Sequence, residues 1–219
     1  MAGGLFSGLL DLIFPPRCIF CRKFLKKGEK HICGDCVKSL PYADKEERKG
    51  DFFAVCVAPL YYRDKVRDSI LRFKFKNATH YTTYYGKLLA ECIAKSLSGK
   101  YDYITWVPLS EKRLKKRGYD QAMLLAMATA LELGDVALEL LRKTVDIPAQ
   151  SGIDAHEKRR ANVSGAYEVI DPELVRNKRI LIIDDVVTTG STLSECARVL
   201  HMEGAESVVC AALATAEKD

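Results

Sequence analysis

The chain has 219 residues, a formal net charge of +5 and 48% hydrophobic residues. That leaves room for one substantial globular domain plus a small one. It excludes a repeat or low-complexity protein, since neither pattern is visible, and no apolar run reaches the ~20 residues that span a bilayer. The mild positive excess agrees with anionic ligands but does not by itself identify a nucleic-acid partner.

Gly3 to Phe14 is apolar but short, carries Asp11, and lacks a basic start and a small-residue cleavage site. It reads as an amphipathic helix packed on the body rather than a signal peptide, the alternative being peripheral contact with a membrane surface. A cytoplasmic location is expected. Next come Cys18-Ile-Phe-Cys21 and Cys33-Gly-Asp-Cys36, two CxxC pairs separated by eleven residues. Four thiolates at this spacing suit a tetrahedral Zn²⁺, and four Cys close the shell, so the ion is structural rather than catalytic. Two disulfides are the alternative, but a cytosol keeps thiols reduced. His31 is a bystander. Arg22, Lys23, Lys26, Lys27 and Lys30 form a solvated face or a phosphate-tracking patch.

Residues 43–51 are charged and read as a linker, dividing an N-terminal zinc module (1–48) from a larger unit (49–219). Phe52 to Tyr62 reads as a strand. Asp64 to Phe75 reads as an amphipathic helix with Val66, Ile70 and Phe73 on its apolar face and Arg and Lys on the other. A second helix follows over Tyr81 to Leu97. Cys56, Cys92, Cys196 and Cys210 fit buried small apolar positions.

Tyr103 to Pro108 is a buried-strand candidate that runs into Leu109-Ser110-Glu111. Five of the six residues from Lys112 to Arg117 are basic. This run, with Arg113, Lys115, Lys116 and Arg117, is either a solvated helix face or a contact for a polyanion. Tyr119-Asp120-Gln121 then opens a helix reaching about Leu133. Arg142 to Tyr167 is long, polar and weakly periodic, as functional lids are. Arg142, Lys143, Gln150, Arg159, Arg160 and Asn162 are placed to close over a diphosphate, the alternative being an ordinary surface loop.

Ile180 to Ile183 is an unbroken β-branch-rich run, the pattern of a parallel strand buried on both faces. Asp184 and Asp185 follow, then Thr188-Thr189-Gly190-Ser191-Thr192. A helix starts there, with Leu193, Cys196, Ala197 and Leu200 on one face, Thr192 and Glu195 in capping-box spacing, and Gly204 as the stop. Ser207 to Thr215 is the last strand. A helix start holds phosphate through unpaired N–H groups and the positive end of its dipole. Two carboxylates beside a phosphate repel it, but they accept hydrogen bonds from a diol. The order of residues therefore asks for a ribose 5-phosphate. Strands alternating with helices predict an α/β, mainly parallel sheet, with the ligand outside the carboxyl ends of the strands.

Asp184, Asp185, Thr188, Thr189, Gly190 and Thr192 resemble the binding loop for 5-phosphoribosyl-1-pyrophosphate in type I phosphoribosyltransferases. With the zinc pairs, Phe14 to Cys18 (FPPRC), Lys116 to Gln121 (KRGYDQ) and the Arg159 to Asn162 stretch, the chain resembles the ComF (ComFC-type) family over nearly its whole length. The resemblance implies a phosphoribosyltransferase-like sheet behind a double zinc-ribbon-like module. It implies pyrophosphate at Leu109 and Ser110, matched by position, and Mg²⁺ arriving with the ligand. It also implies a place in natural competence, with single-stranded DNA and a helicase-like protein as partners. Two functions follow. One is a DNA-uptake factor that keeps the ligand pocket, with Tyr61, Tyr62, Phe73, Phe75 and Tyr119 supplying stacking for bases. The other is an active phosphoribosyltransferase of nucleotide salvage or biosynthesis, in which Asp184 and Asp185 are catalytic. Neither a general base nor a nucleobase pocket is recognisable in the sequence.

Overall fold

The computed structural model describes residues 15–43, 46–144 and 165–217. The apolar stretch at 3–14, and Gln150, Arg159, Arg160 and Asn162 of the expected lid, lie outside them.

A short helix α1 (Gly34–Ser39) begins inside the second cysteine pair. Strand β1 (Glu47–Arg48) then pairs antiparallel with β2 (Cys56–Val57), so the charged stretch contributes an edge strand of the sheet. The strand expected over Phe52 to Tyr62 is split in two. Pro59 has no amide hydrogen to give a ladder, and it separates β2 from β3 (Leu60–Tyr61). Helices α2 (Asp64–Phe75) and α3 (Thr82–Ser96) follow, then β4 (Tyr103–Trp106). The basic run forms α4 (Glu111–Arg117), which Gly118 ends in the left-handed conformation, and α5 (Gln121–Leu133) comes next. Strands β5 (Leu141–Lys143) and β6 (Tyr167–Val169) make a separate antiparallel pair. The chain ends on β7 (Arg179–Val187), α6 (Ser191–Met202) and β8 (Ser207–Thr215).

The main sheet has the order β1-β2-β8-β7-β4, with β3 also on β8, and every pairing except β1–β2 is parallel. Side-chain alternation along the two long strands builds a core on each face. Leu181, Ile183, Val209, Ala211 and Leu213 point toward α2, α3 and α5. Ile180, Ile182, Val208, Cys210 and Ala212 point toward α6, where Leu193, Cys196, Ala197 and Leu200 meet them. Each Leu, Ile or Val among these withdrawn from water contributes about 1.5–3 kcal/mol. Helices α3 and α5 cross closely, because a Cβ on Gly86 would lie 2.7 Å from the Ala128 methyl.

The cysteine module shares the first of these cores. Ile19 and Phe20 are buried, and the Phe20 ring meets Tyr84 edge-on at 6.2 Å. Helix α2 grips the same turn through polar groups. Ser69 Oγ donates to the Ile19 carbonyl at 2.5 Å, and Arg72 Nη2 donates to the carbonyls of Ile19 and Phe20 at 2.8 and 2.9 Å.

Candidate functional site

Asp184 and Asp185 stand near the carboxyl end of β7, the strand between β8 and β4. Strand alternation turns their side chains to opposite faces of the sheet. They therefore do not present two carboxylates outward side by side, as the bare sequence invites one to picture. Asp185 is 4% exposed and faces the α2–α5 side. Its Oδ1 lies 2.7 Å from Lys74 Nζ, and its Oδ2 accepts from Gln121 Nε2 at 2.8 Å. Burial alone would depress the Lys74 ammonium, but the charge and hydrogen bond of Asp185, with Asp184 behind, outweigh it and raise the pKa. Breaking a pair this enclosed costs about 3–5 kcal/mol, because the other charge is left without water.

Asp184 keeps part of its surface. It turns toward the side that carries Cys56, Cys196, Cys210 and Tyr167. Its Oδ1 accepts from the backbone N–H of Asp185 at 2.7 Å. Burial, then the neighbouring Asp185 charge, push its carboxyl up to about 8, while Lys74 and the Asp185 amide pull the other way.

The turn after β7 is braced from outside. Gly190 has φ 81°, in the left-handed region that glycine enters without steric cost. It is the N-cap of α6 and offers no side-chain cap to the amides of the first helical turn. A helix leaves those amides without internal partners. Thr189 Oγ1 and Ser191 Oγ are 2.8 Å apart, and the Ser191 amide donates to Thr189 Oγ1 at 3.3 Å. Thr192 is partly buried on the same turn. The Thr188 carbonyl accepts from Arg48 Nη1 at 2.6 Å, and the same guanidinium holds Thr215 Oγ1 at 2.6 Å and the Ala216 carbonyl. The Phe53 ring lies against Gly190, where a Cβ would come within 3.4 Å of Cζ.

One expectation fails here. The capping box of Thr192 and Glu195 does not form, because the helix begins two residues earlier, at Ser191, with Gly190 rather than Thr192 as its cap. The Glu195 carboxylate instead accepts from the Gly165 amide at 2.6 Å and pairs with Arg198 at 2.8 Å. It fastens the chain where it enters β6.

Parallel pairing of β4 with β7 brings the loop after β4 beside the acids, since Trp106 is opposite Ile183 and the Val107 amide donates to the Ile183 carbonyl. Asp120 holds this loop. Its Oδ2 accepts from the Leu109 amide at 2.8 Å, while Oδ1 caps α5 through Ala122 and Met123. Burial raises the Asp120 pKa, although those three amides oppose it. Ser110 is buried and caps α4, accepting from the Arg113 amide. Beyond it opens a cavity of about 740 Å³ lined by Ser110, Glu111, Lys112, Lys115, Arg142, Lys143 and Thr144. Lys116 is exposed, and Arg117 turns to Gln121 and the Phe75 ring.

In the N-terminal module the Sγ atoms of Cys18, Cys21, Cys33 and Cys36 lie within 4.8 Å of one another. Cys21 and Cys33 Sγ are 3.6 Å apart, far beyond a disulfide bond and close to the ~3.8 Å edge of a zinc–thiolate tetrahedron. Burial raises the Cys18 thiol, but the amides of Cys21, Cys33 and Phe20 point at it and bring it down to about 7. A donor set of four thiols with amides aimed at the sulfur fits Zn²⁺. His31 stacks near Tyr84 at 6.1 Å and is not part of the tetrad.

Lys74, Gln121, Arg48 and Phe53 are site residues that the sequence reading did not single out. Lys74 carried a signal. It lies four residues after Ile70 in α2, which puts a lysine at the border of the apolar stripe of Val66, Ile70 and Phe73. Arg48 carried none, because one arginine in a charged stretch looks like any other.

Residues 120–219 match the phosphoribosyl transferase domain, and residues 9–48 match the double zinc ribbon domain. The chain is 29% identical to competence protein F of Haemophilus influenzae over 92% of this chain and 85% of that protein. It is 25% identical to competence protein ComFC of Bacillus subtilis over 85% of this chain and 78% of that one. The DNA utilization protein YhgH of Escherichia coli O157:H7 is 35% identical over 49% of this chain and 46% of its own. The chain thus carries a phosphoribosyltransferase domain behind a double zinc ribbon, and it is homologous to both competence proteins along most of its length.

Proposed function

We propose that the protein binds phosphoribosyl pyrophosphate, or a related ribose phosphate, at the turn between β7 and α6. We further propose that it takes part in handling single-stranded DNA during competence. The observation that carries the first half is the turn itself. A left-handed Gly190 caps α6 without a side chain, its neighbours are hydroxyls, and the partly exposed Asp184 stands on the strand that delivers it. Phosphate takes the helix amides and hydroxyls, and the sugar diol donates to Asp184. Pyrophosphate lies toward Leu109, Ser110 and the basic cavity. Mg²⁺ arriving with the ligand neutralises the pyrophosphate oxygens. A structure of the full chain with ribose 5-phosphate tests this: the phosphate is expected at the amides of 190–192, and a phosphate bound elsewhere contradicts it.

The DNA half rests on α4 and its neighbour Phe75. Of the rings expected to stack on bases, Phe73 is unavailable because it is fully buried, and Tyr119 is half-buried, its hydroxyl donating to the Phe73 carbonyl. Phe75 is 62% exposed, with the Arg117 guanidinium 5.0 Å over its ring, beside Lys115 and Lys116. An exposed ring set among cations is the platform that single strands use. Among the described residues no helix is long and apolar enough to cross a membrane, and a cytoplasmic location, with a helicase-like partner, completes the proposal.

The basic cavity favours a second reading, an active phosphoribosyltransferase. Its lysines and Arg142 are placed to stabilise departing pyrophosphate. Mg²⁺-dependent pyrophosphate release, abolished in Asp184→Asn, would support it, and no release with any amine acceptor would leave binding alone.

A further inference from the structure

The C-terminal half of helix α2 touches both functional regions. Ser69 and Arg72 hold the cysteine module through the Ile19 and Phe20 carbonyls. Two residues on, Lys74 places its ammonium 2.7 Å from Asp185, with only 19% of its side chain exposed. Gln121 holds the other oxygen of the same carboxylate. The Asp185 amide in turn donates to Asp184 Oδ1 at 2.7 Å. A line of contacts thus runs from the zinc-module turn through α2 and Lys74 to Asp185, and through its peptide to the acid that keeps exposed surface.

We infer that Lys74 is a positioning residue for sugar recognition: by holding Asp185, it fixes the carboxyl group of Asp184 in the orientation that hydrogen-bonds a ribose diol. The inference rests on the ribose-phosphate reading of the site and goes beyond it by naming what sets preference for the sugar. Two features of the geometry argue for it. The buried Asp185 is already engaged on both oxygens, so it serves better as an anchor than as a sugar contact. A fixed ammonium also leaves less need for a divalent ion directly on Asp185, because a cation bound there would sit against Lys74. Phosphate recognition does not pass through this line, since it belongs to the turn at 189–192.

The separation of the two roles makes the inference testable. The full-length zinc-loaded protein is titrated by calorimetry with ribose 5-phosphate and with 2-deoxyribose 5-phosphate, which keeps the phosphate and lacks the diol. The wild type is expected to prefer ribose 5-phosphate by about tenfold or more. Lys74→Met is expected to reduce that ratio toward unity, with little change in the affinity for the deoxy sugar. A purely structural role would weaken both ligands together. Lys74→Gln keeps a donor toward Asp185 without the charge, and it decides the question if the Met variant does not fold; the same loss of preference is expected. An unchanged ratio in the folded variants overturns the role of Lys74 and leaves the ribose-phosphate site standing. If the wild type binds neither sugar, the ribose-phosphate reading falls and this inference with it.

Discussion

Arg48 and Thr188 are 140 positions apart in the chain, and the Arg48 Nη1 atom donates to the Thr188 carbonyl at 2.6 Å. The contact ties the first strand of the sheet to the turn proposed to hold phosphate. The same guanidinium reaches Thr215 and Ala216, so one side chain knots three separate segments.

Arg48→Ala should therefore cost both stability and binding. Hydrogen bonds to a charged group contribute about 1.5–3 kcal/mol each before relaxation. A net loss of about 2 kcal/mol is expected, lowering Tm by roughly 4–8 °C for a chain this size. Ribose phosphate affinity should fall with it. Lys at this position should recover little, because an ammonium lacks the planar fork. Thermal unfolding and calorimetry check both effects.

Asp184 gives the protein a predictable pH dependence. Its carboxyl is raised from 3.8 to about 8 in the fold by burial and by Asp185. Between those values the folded state holds a proton that the unfolded state releases. The contribution of this group is therefore fully present below about pH 4 and is lost as pH rises toward 8. Asp184→Asn removes that loss. The variant should show a flatter Tm profile from pH 5 to 8 and gain ~1 kcal/mol or more at pH 8, roughly 2–4 °C. An unchanged slope would show that Asp184 does not carry the proton.

Metal removal should reach beyond the metal. Ile19, Phe20 and the cysteines belong to the same core as α2 and α3. Elemental analysis should find zinc at about one equivalent, held by the Cys18–Cys21–Cys33–Cys36 tetrad. Chelation, or Cys36→Ser, should lower the Tm of the whole protein. A drop confined to the N-terminal segment, with the main transition unmoved, would contradict the shared core.

How much of this was readable beforehand depended on whether a feature is local. The zinc pairs, the helix at Asp64 to Phe75 and the run from Ile180 to Gly190 are written in adjacent residues, and the fold contains each of them. The strand at Phe52 to Tyr62 was half legible, because Pro59 interrupts its ladder. What stayed hidden was pairing across distance. Lys74 with Asp185 and Arg48 with Thr188 join segments that only the sheet brings together. The capping box failed for a related reason, since Glu195 found a better partner in the distant Gly165 amide. The opposite facing of Asp184 and Asp185 was open to reading, because alternation along a strand requires it.

Helix α4 is where single-stranded DNA should register. Lys115→Glu with Lys116→Glu reverses two exposed charges on it. Single-strand affinity is expected to fall at low salt, with a shallower dependence on salt concentration. Phe75→Ala should weaken binding by about 1–3 kcal/mol with the salt slope unchanged, because a lost stack releases no counterions. Ribose phosphate binding should survive in both variants. Fluorescence anisotropy at several salt concentrations separates the two effects.

The most direct test is calorimetric titration of the full-length protein with phosphoribosyl pyrophosphate, run beside Gly190→Ala and Thr192→Val. A Cβ at Gly190 is strained at φ 81°, a conformation that L side chains rarely adopt, so the turn must shift. Saturable binding by the wild type, weakened tenfold or more in both variants while they remain folded, is the predicted result. Binding of equal strength in all three proteins, or none in the wild type, would contradict the account.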